Sequence, residues 1–185
     1  MTEPAQSLQM TVDQFLAWDD GTDTRYELVA GRAVAMAPAA DRHGSIAGNA
    51  WGEIDRALEP RPPCRGVIEA GVWVDDRNYF IPDVAATCAE PSDSVAVADA
   101  FLIVEVVSPG NLGSELSSKV QAYIALPHVM EIWIIDSTKR WFQLWRRGGL
   151  DNWIVGLPLT GNASFDSPTL AVRVPLDRLY RNTGL

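Results

Sequence analysis

The stretch Phe101-Leu102-Ile103-Val104-Glu105-Val106-Val107 constrains this chain more than any other. Both of its alternating sets of positions are apolar, the pattern of a central strand covered on each face. A chain with such a strand must place further layers on both sides of a sheet. Glu105 stands inside it, on the same alternating face as Phe101, Ile103 and Val107. An ionised carboxylate buried there costs several kcal/mol unless it is paired or holds a metal. Glu105 therefore has a partner or a task.

The surrounding pattern is that of an α/β domain. Thr11 and Gln14 have capping-box spacing and open a short helix carrying Phe15, Leu16 and Trp18. Tyr26–Val29 and Ala33–Met36, joined through Ala30-Gly31-Arg32, read as a hairpin. From Asp41 to Leu58 the residues Ile46, Ala47, Ala50, Trp51, Ile54 and Leu58 recur at helical spacing, until Pro60, Pro62 and Pro63 stop the helix. Three strand-like stretches follow, Gly66–Val74, Phe80–Thr87 and Ala100–Val107. A loop over Ser108–Gly113 leads into a second helix, Ser114–Leu126, and then into the core strand Glu131–Asp136. A hairpin from Trp141 turning at Gly148-Gly149 and a last strand near Leu170–Val174 complete the chain. The strand, helix, strand order over Ala100–Asp136 favours at least one parallel pair. Helix, three strands, helix and strand thus form a core over about residues 41–136, with β-rich extensions at each end.

The 185 residues leave room for one domain, 1–185. No apolar run approaches the roughly 20 residues of a membrane-spanning helix. Cys64 and Cys88 are the only cysteines, far apart in sequence and without zinc-ligand spacing, which excludes a disulfide scaffold and favours a reducing compartment. Met1–Met10 carries no basic head followed by an apolar run, so a cytoplasmic protein is expected. The 15 basic against 24 acidic side chains give a net charge of −9, which disfavours nonspecific adhesion to nucleic acid or an anionic membrane. Only Lys119 and Lys139 among the cations are lysines.

Asp83 is the second acid in an apolar setting. It follows Pro82 in Tyr79–Val84 and lies 22 positions before Glu105, a spacing that suits adjacent strands. Two carboxylates on neighbouring strands can hold a hard divalent cation through oxygen ligands, with Mg²⁺ the natural choice and Mn²⁺ its close substitute. Lys119 lies at the edge of the apolar face of the second helix, one turn from Leu116 and Tyr123, where it can point inward. Such a set suits water attack on a phosphodiester, the metal acting as Lewis acid and the ammonium stabilising developing charge.

These residues also carry a resemblance. Ile81-Pro82-Asp83-Val84, Ile103-Val104-Glu105-Val106-Val107-Ser108-Pro109, Lys119 with Tyr123, and Glu131–Asp136 resemble the PD-(D/E)XK nuclease superfamily, in particular its branch of restriction endonucleases long catalogued as a domain of unknown function. Tyr26–Gly31, Met36-Ala37-Pro38 and His43 look like that branch's N-terminal signature, so the similarity spans roughly residues 11–180. It implies a restriction endonuclease-like fold, a Mg²⁺ requirement and hydrolysis of DNA phosphodiesters. In that pattern the positions of Asp83 and Glu105 hold the metal and a lysine assists the attacking water. The superfamily's usual lysine, two residues after the second acid, is replaced here by Val107, and Lys119 on the following helix stands in for it.

Glu27, in the first hairpin, and His43, just inside a helix start, complete the candidates. Glu27 would face the same cleft, and His43 would act as a general base near neutral pH. The plainer readings are an outward-facing hairpin acid and a surface histidine at a helix end. Lys139–Arg147 interleaves cations with aromatics, as a nucleic-acid surface can, but its alternation fits better an edge hairpin packed on the core or on a second subunit. A homodimer through the terminal β extensions is expected. The competing function is a catalytically silent scaffold that keeps the fold as a dimerising or regulatory binding module, which the acidic net charge favours.

Overall fold

The computed structural model describes residues 9–108, 114–149 and 152–185. Residues 109–113 of the loop expected over Ser108–Gly113, and residues 1–8, lie outside these residues. The elements are α1 (Val12–Leu16), β1 (Tyr26–Val29), β2 (Arg32–Ala35), α2 (Asp41–Leu58), β3 (Arg65–Ile68), β4 (Val72–Asp75), β5 (Asn78–Phe80), β6 (Val84–Thr87), β7 (Leu102–Val107), α3 (Ser114–Ala125), β8 (Glu131–Asp136), β9 (Trp141–Arg147), β10 (Trp153–Val155), β11 (Leu159–Thr160), β12 (Ser164–Ser167), β13 (Val172–Pro175) and α4 (Leu176–Leu179).

The central sheet runs β10-β9-β8-β7-β6-β3, with β11 also on β9. It is mixed: β7 and β8 are parallel, and the neighbouring pairs are antiparallel. All six residues of β7 and of β8 are buried, as the doubly apolar pattern requires. Leu102, Val104 and Val106 pack with Ile46, Ala50 and Ile54 of α2 on one side. Ile103 and Val107 pack with Val120 and Tyr123 of α3 on the other. Alternation therefore sends Glu105 toward α3, into a wall of apolar side chains.

Two of the expected strands are broken. Gly66–Val74 divides into β3 and β4, and Phe80–Thr87 into β5 and β6, with β4 and β5 in a separate sheet ordered β2-β1-β5-β4. Glu69 at the first break has φ +48°, and Gly71 lies where a Cβ would fall within 1.8 Å of the Tyr79 hydroxyl. Pro82 at the second break has no N–H for a ladder. Asp83 consequently stands in the gap between the sheets rather than within a strand.

The C-terminal segment is also more than one added strand. Phe165, Leu170, Val174, Leu176, Leu179 and Tyr180 join the cluster under α2, and Asn49 Nδ2 donates to the carbonyls of Leu179 and Arg181 at 3.0 and 2.8 Å. On the hairpin, β9 is not an edge, because β8 flanks it on one side and β10 and β11 on the other. Arg147 donates to the carbonyls of Ile124, Leu126 and Val129, and Arg140 pairs with Asp177, so these cations tie the fold together.

The cysteines contradict the expectation of two separate thiols. Arg65 pairs with Thr87 across β3 and β6, so the next pair outward is Cys64 and Cys88, which form a disulfide. This removes one argument for a reducing compartment. No helix among the described residues is long and apolar enough to cross a membrane.

Candidate active site

The β6–β7 register places the site. Val84 pairs with Val104, and continuing that antiparallel register one step sets Asp83 opposite Glu105, on the same face of the sheet. Asp83 Oδ2 accepts the N–H of Val106 at 2.6 Å, which fixes the carboxylate against β7. His43, in the first turn of α2, donates from Nε2 to Asp83 Oδ1 at 2.6 Å.

Glu105 is 7% exposed. Burial raises its carboxyl to about 7; the Lys119 ammonium offsets part of that rise, whereas Asp83 and Glu27 add to it. Tyr123, fully buried on α3, donates its hydroxyl to Glu105 Oε1 at 2.8 Å. Burial is also the first cause that holds the Tyr123 phenol well above its ordinary value, so it remains a donor.

Lys119 points inward from α3. Its Nζ lies 2.7 Å from Glu27 Oε1 and 3.7 Å from Glu105 Oε1, and 5.7 Å from the centre of the Phe80 ring. Burial works against this ammonium, but Glu105 and Glu27 outweigh it and lift the group above the usual lysine value. Glu27 Oε1 also accepts the N–H of Ile81 at 2.7 Å, just before the Pro82 break. Hydrogen bonding to Asp83 raises His43 above its ordinary value, against the effect of burial.

The structure thus brings Glu27, His43, Asp83, Glu105 and Lys119 into one connected cluster, drawn from two sheets and two helices. The Tyr123 hydroxyl on Glu105 and the Ile81 amide on Glu27 are further members that sequence patterns did not reveal. In the sequence Tyr123 stands out by its place on the apolar face one turn from Lys119 and beside Lys119 in the resemblance, with no sign of its bond to Glu105. A surface depression lined by Trp51, Asp55 and Glu59 lies far from the cluster, since Asp55 is 12 residues beyond His43, or roughly 18 Å along α2.

The donors suit a hard cation in part. Asp83 and Glu105 supply carboxylate oxygens from facing positions, and Mg²⁺ needs only one or two carboxylates because it retains waters. Among the described residues no three His, Cys, Asp or Glu side chains form a ready cage. The amide, hydroxyl, imidazole and ammonium donors around the acids account for the compactness of the cluster without one.

The sequence model of Uma2, described as a putative restriction endonuclease family, matches residues 12–174. The chain belongs to this family. Two Synechocystis relatives are uncharacterized proteins: sll1609 is 22% identical over 162 residues, covering 85% of this chain and 92% of its own, and slr1290 is 21% identical over 177 residues, covering 94% and 92%. Among solved structures, a putative nuclease belonging to DUF820 from Anabaena variabilis superposes with a TM-score of 0.74 at 16% identity, over 92% of this chain and 97% of that one. At that identity the likeness concerns the fold, which for this Uma2 chain is restriction endonuclease-like.

Proposed function

We propose that this Uma2 chain is a metal-dependent endonuclease that hydrolyses DNA phosphodiester bonds. The observation that carries the reading is the facing pair Asp83 and Glu105 with the Lys119 ammonium 3.7 Å from Glu105. Membership of a family described as putative restriction endonuclease supports it.

Asp83 and Glu105 would hold Mg²⁺ or Mn²⁺, which when bound supplies Lewis acidity toward a phosphoryl oxygen and makes a water acidic. The chain's own groups perform the rest. The ammonium of Lys119 stabilises charge that accumulates on the phosphoryl oxygens as water attacks phosphorus and the P–O ester bond breaks. Glu27 holds that ammonium toward the cleft. His43 is a positioning residue here, because its Nε2 is committed to Asp83 Oδ1. Tyr123 fixes the orientation of Glu105 in the same way.

A catalytically silent scaffold is the second reading, favoured by the net charge of −9. Dimerisation is compatible with both readings and is supported by the exposed apolar side chains Ile154, Val155 and Leu157 at and just beyond the edge strand β10. Light scattering tests it, with a dimer mass expected at micromolar concentration and a monomer overturning it. Incubation of supercoiled plasmid and of short single-stranded DNA with Mg²⁺ or Mn²⁺ tests the enzyme reading. Metal-dependent strand breaks that disappear on chelation are expected; intact DNA together with no metal binding would favour the scaffold.

A further inference from the structure

The ammonium of Lys119 occupies the place in which added positive charge would be felt most. It lies between Glu27 and Glu105, and all three side chains are shielded from water, at 12%, 4% and 9% exposure. The two carboxylates are held by other donors: the Ile81 amide fixes Glu27 Oε1 and the Tyr123 hydroxyl fixes Glu105 Oε1. The lysine alone is on a long, rotatable stem whose head can change partners, and that head lies over the Phe80 ring.

We propose that Lys119 couples metal loading to substrate binding: in the free protein its ammonium competes with the divalent cation for Glu105, and a nucleic-acid phosphate draws it away and lets the cation bind tightly. This rests on the reading of Asp83 and Glu105 as the metal pair. A dication entering beside a fixed ammonium meets like charge where screening by water is weak. A phosphodiester brings the negative charge that relieves it and offers the ammonium a new partner. By linkage, the cation must strengthen nucleic-acid binding by the same factor by which nucleic acid strengthens cation binding. The strongly acidic chain gives this a purpose, since a protein of net charge −9 has little general attraction for DNA and gains from a cation that arrives with its substrate.

The test is Mn²⁺ binding to the full chain at constant pH, with free Mn²⁺ read from its electron paramagnetic resonance signal. The wild type and Lys119→Met are each titrated with and without a short phosphorothioate oligonucleotide, and binding to the oligonucleotide alone is subtracted. The oligonucleotide is expected to tighten Mn²⁺ binding to the wild type by about tenfold, within the usual range of couplings between sites. Lys119→Met is expected to bind Mn²⁺ about tenfold more tightly than the wild type without oligonucleotide, and to gain little from its addition. Lys119→Gln is titrated in the same way and decides the question if Lys119→Met fails to fold, because tightening in the wild type alone also follows from a phosphate oxygen bound to the cation. Mn²⁺ binding of equal affinity with and without oligonucleotide would overturn the coupling and leave the nuclease reading standing. No Mn²⁺ binding under any condition would overturn the metal reading itself.

Discussion

Asp83 faces Glu105 across the β6–β7 ladder one step past its last paired residues, and the Val106 amide 2.6 Å from Asp83 Oδ2 keeps it there. Placed outside β6, Asp83 escapes the pairing that would bury it in the sheet, yet it remains in register with the one acid of β7. Replacing Asp83 with Ala removes half of the proposed cation pair and the partner of His43. We expect Mn²⁺ affinity to fall by at least about tenfold, measured by titration; unchanged affinity would exclude Asp83 as a ligand.

His43 acts through Asp83 in this account. His43→Ala should lower metal affinity by roughly tenfold, the scale of lost outer-shell partners, and His43→Gln should restore part of it through a side-chain amide donor. Equal loss in both variants would place the role of the imidazole elsewhere.

Once the cation is bound, Lys119 contributes charge stabilisation to the reaction itself. Lys119→Met should reduce the rate of DNA cleavage by about 10²–10³-fold at saturating metal, the usual effect of losing a donor aimed at developing negative charge. Cleavage rates within about twofold of wild type would remove it from the mechanism.

Glu105 gives the metal-free protein a pH dependence of predictable sign. Its carboxyl is raised from 4.5 to about 7, so the folded state binds the proton more tightly than the unfolded chain. Its contribution to stability is fully present below about pH 4.5 and is lost as pH rises through about 7, on the order of 3 kcal/mol. Chemical denaturation between pH 4.5 and 8 should therefore show a steeper decline with rising pH in the wild type than in Glu105→Gln. Parallel profiles would contradict the burial argument.

Glu131 is the structural counterpart of Glu105, and it shows where the sequence ceases to be readable. Both are glutamates in fully buried strands, so alternation and burial cost apply to both. Glu131 is closed in by Trp133 Nε1, the Ser167 hydroxyl and the Thr169 amide, two of which come from a segment more than 30 residues later. Glu105 opens onto Lys119. No local pattern carries that difference. The helix Asp41–Leu58 and the strand Glu131–Asp136 were legible because periodicity and proline stops are local, whereas the Cys64–Cys88 bond and the breaks at Glu69 and Pro82 depend on which strands meet. The resemblance drew Glu27 and His43 into the candidate set, and only the fold placed them against Lys119 and Asp83. Glu131→Ala should destabilise the protein by about 3 kcal/mol or more in denaturant melts, because three buried donors lose their acceptor. A loss below about 1 kcal/mol would mean that those donors find other partners.

Cleavage of supercoiled plasmid by the wild type and by Glu105→Ala, each with Mg²⁺, with Mn²⁺ and with chelator, is the decisive measurement for a metal-dependent nuclease built on Glu105. Nicking that requires the cation and is lost in Glu105→Ala is the predicted result. Nicking by Glu105→Ala at the wild-type rate, or by the wild type under chelation, would contradict it.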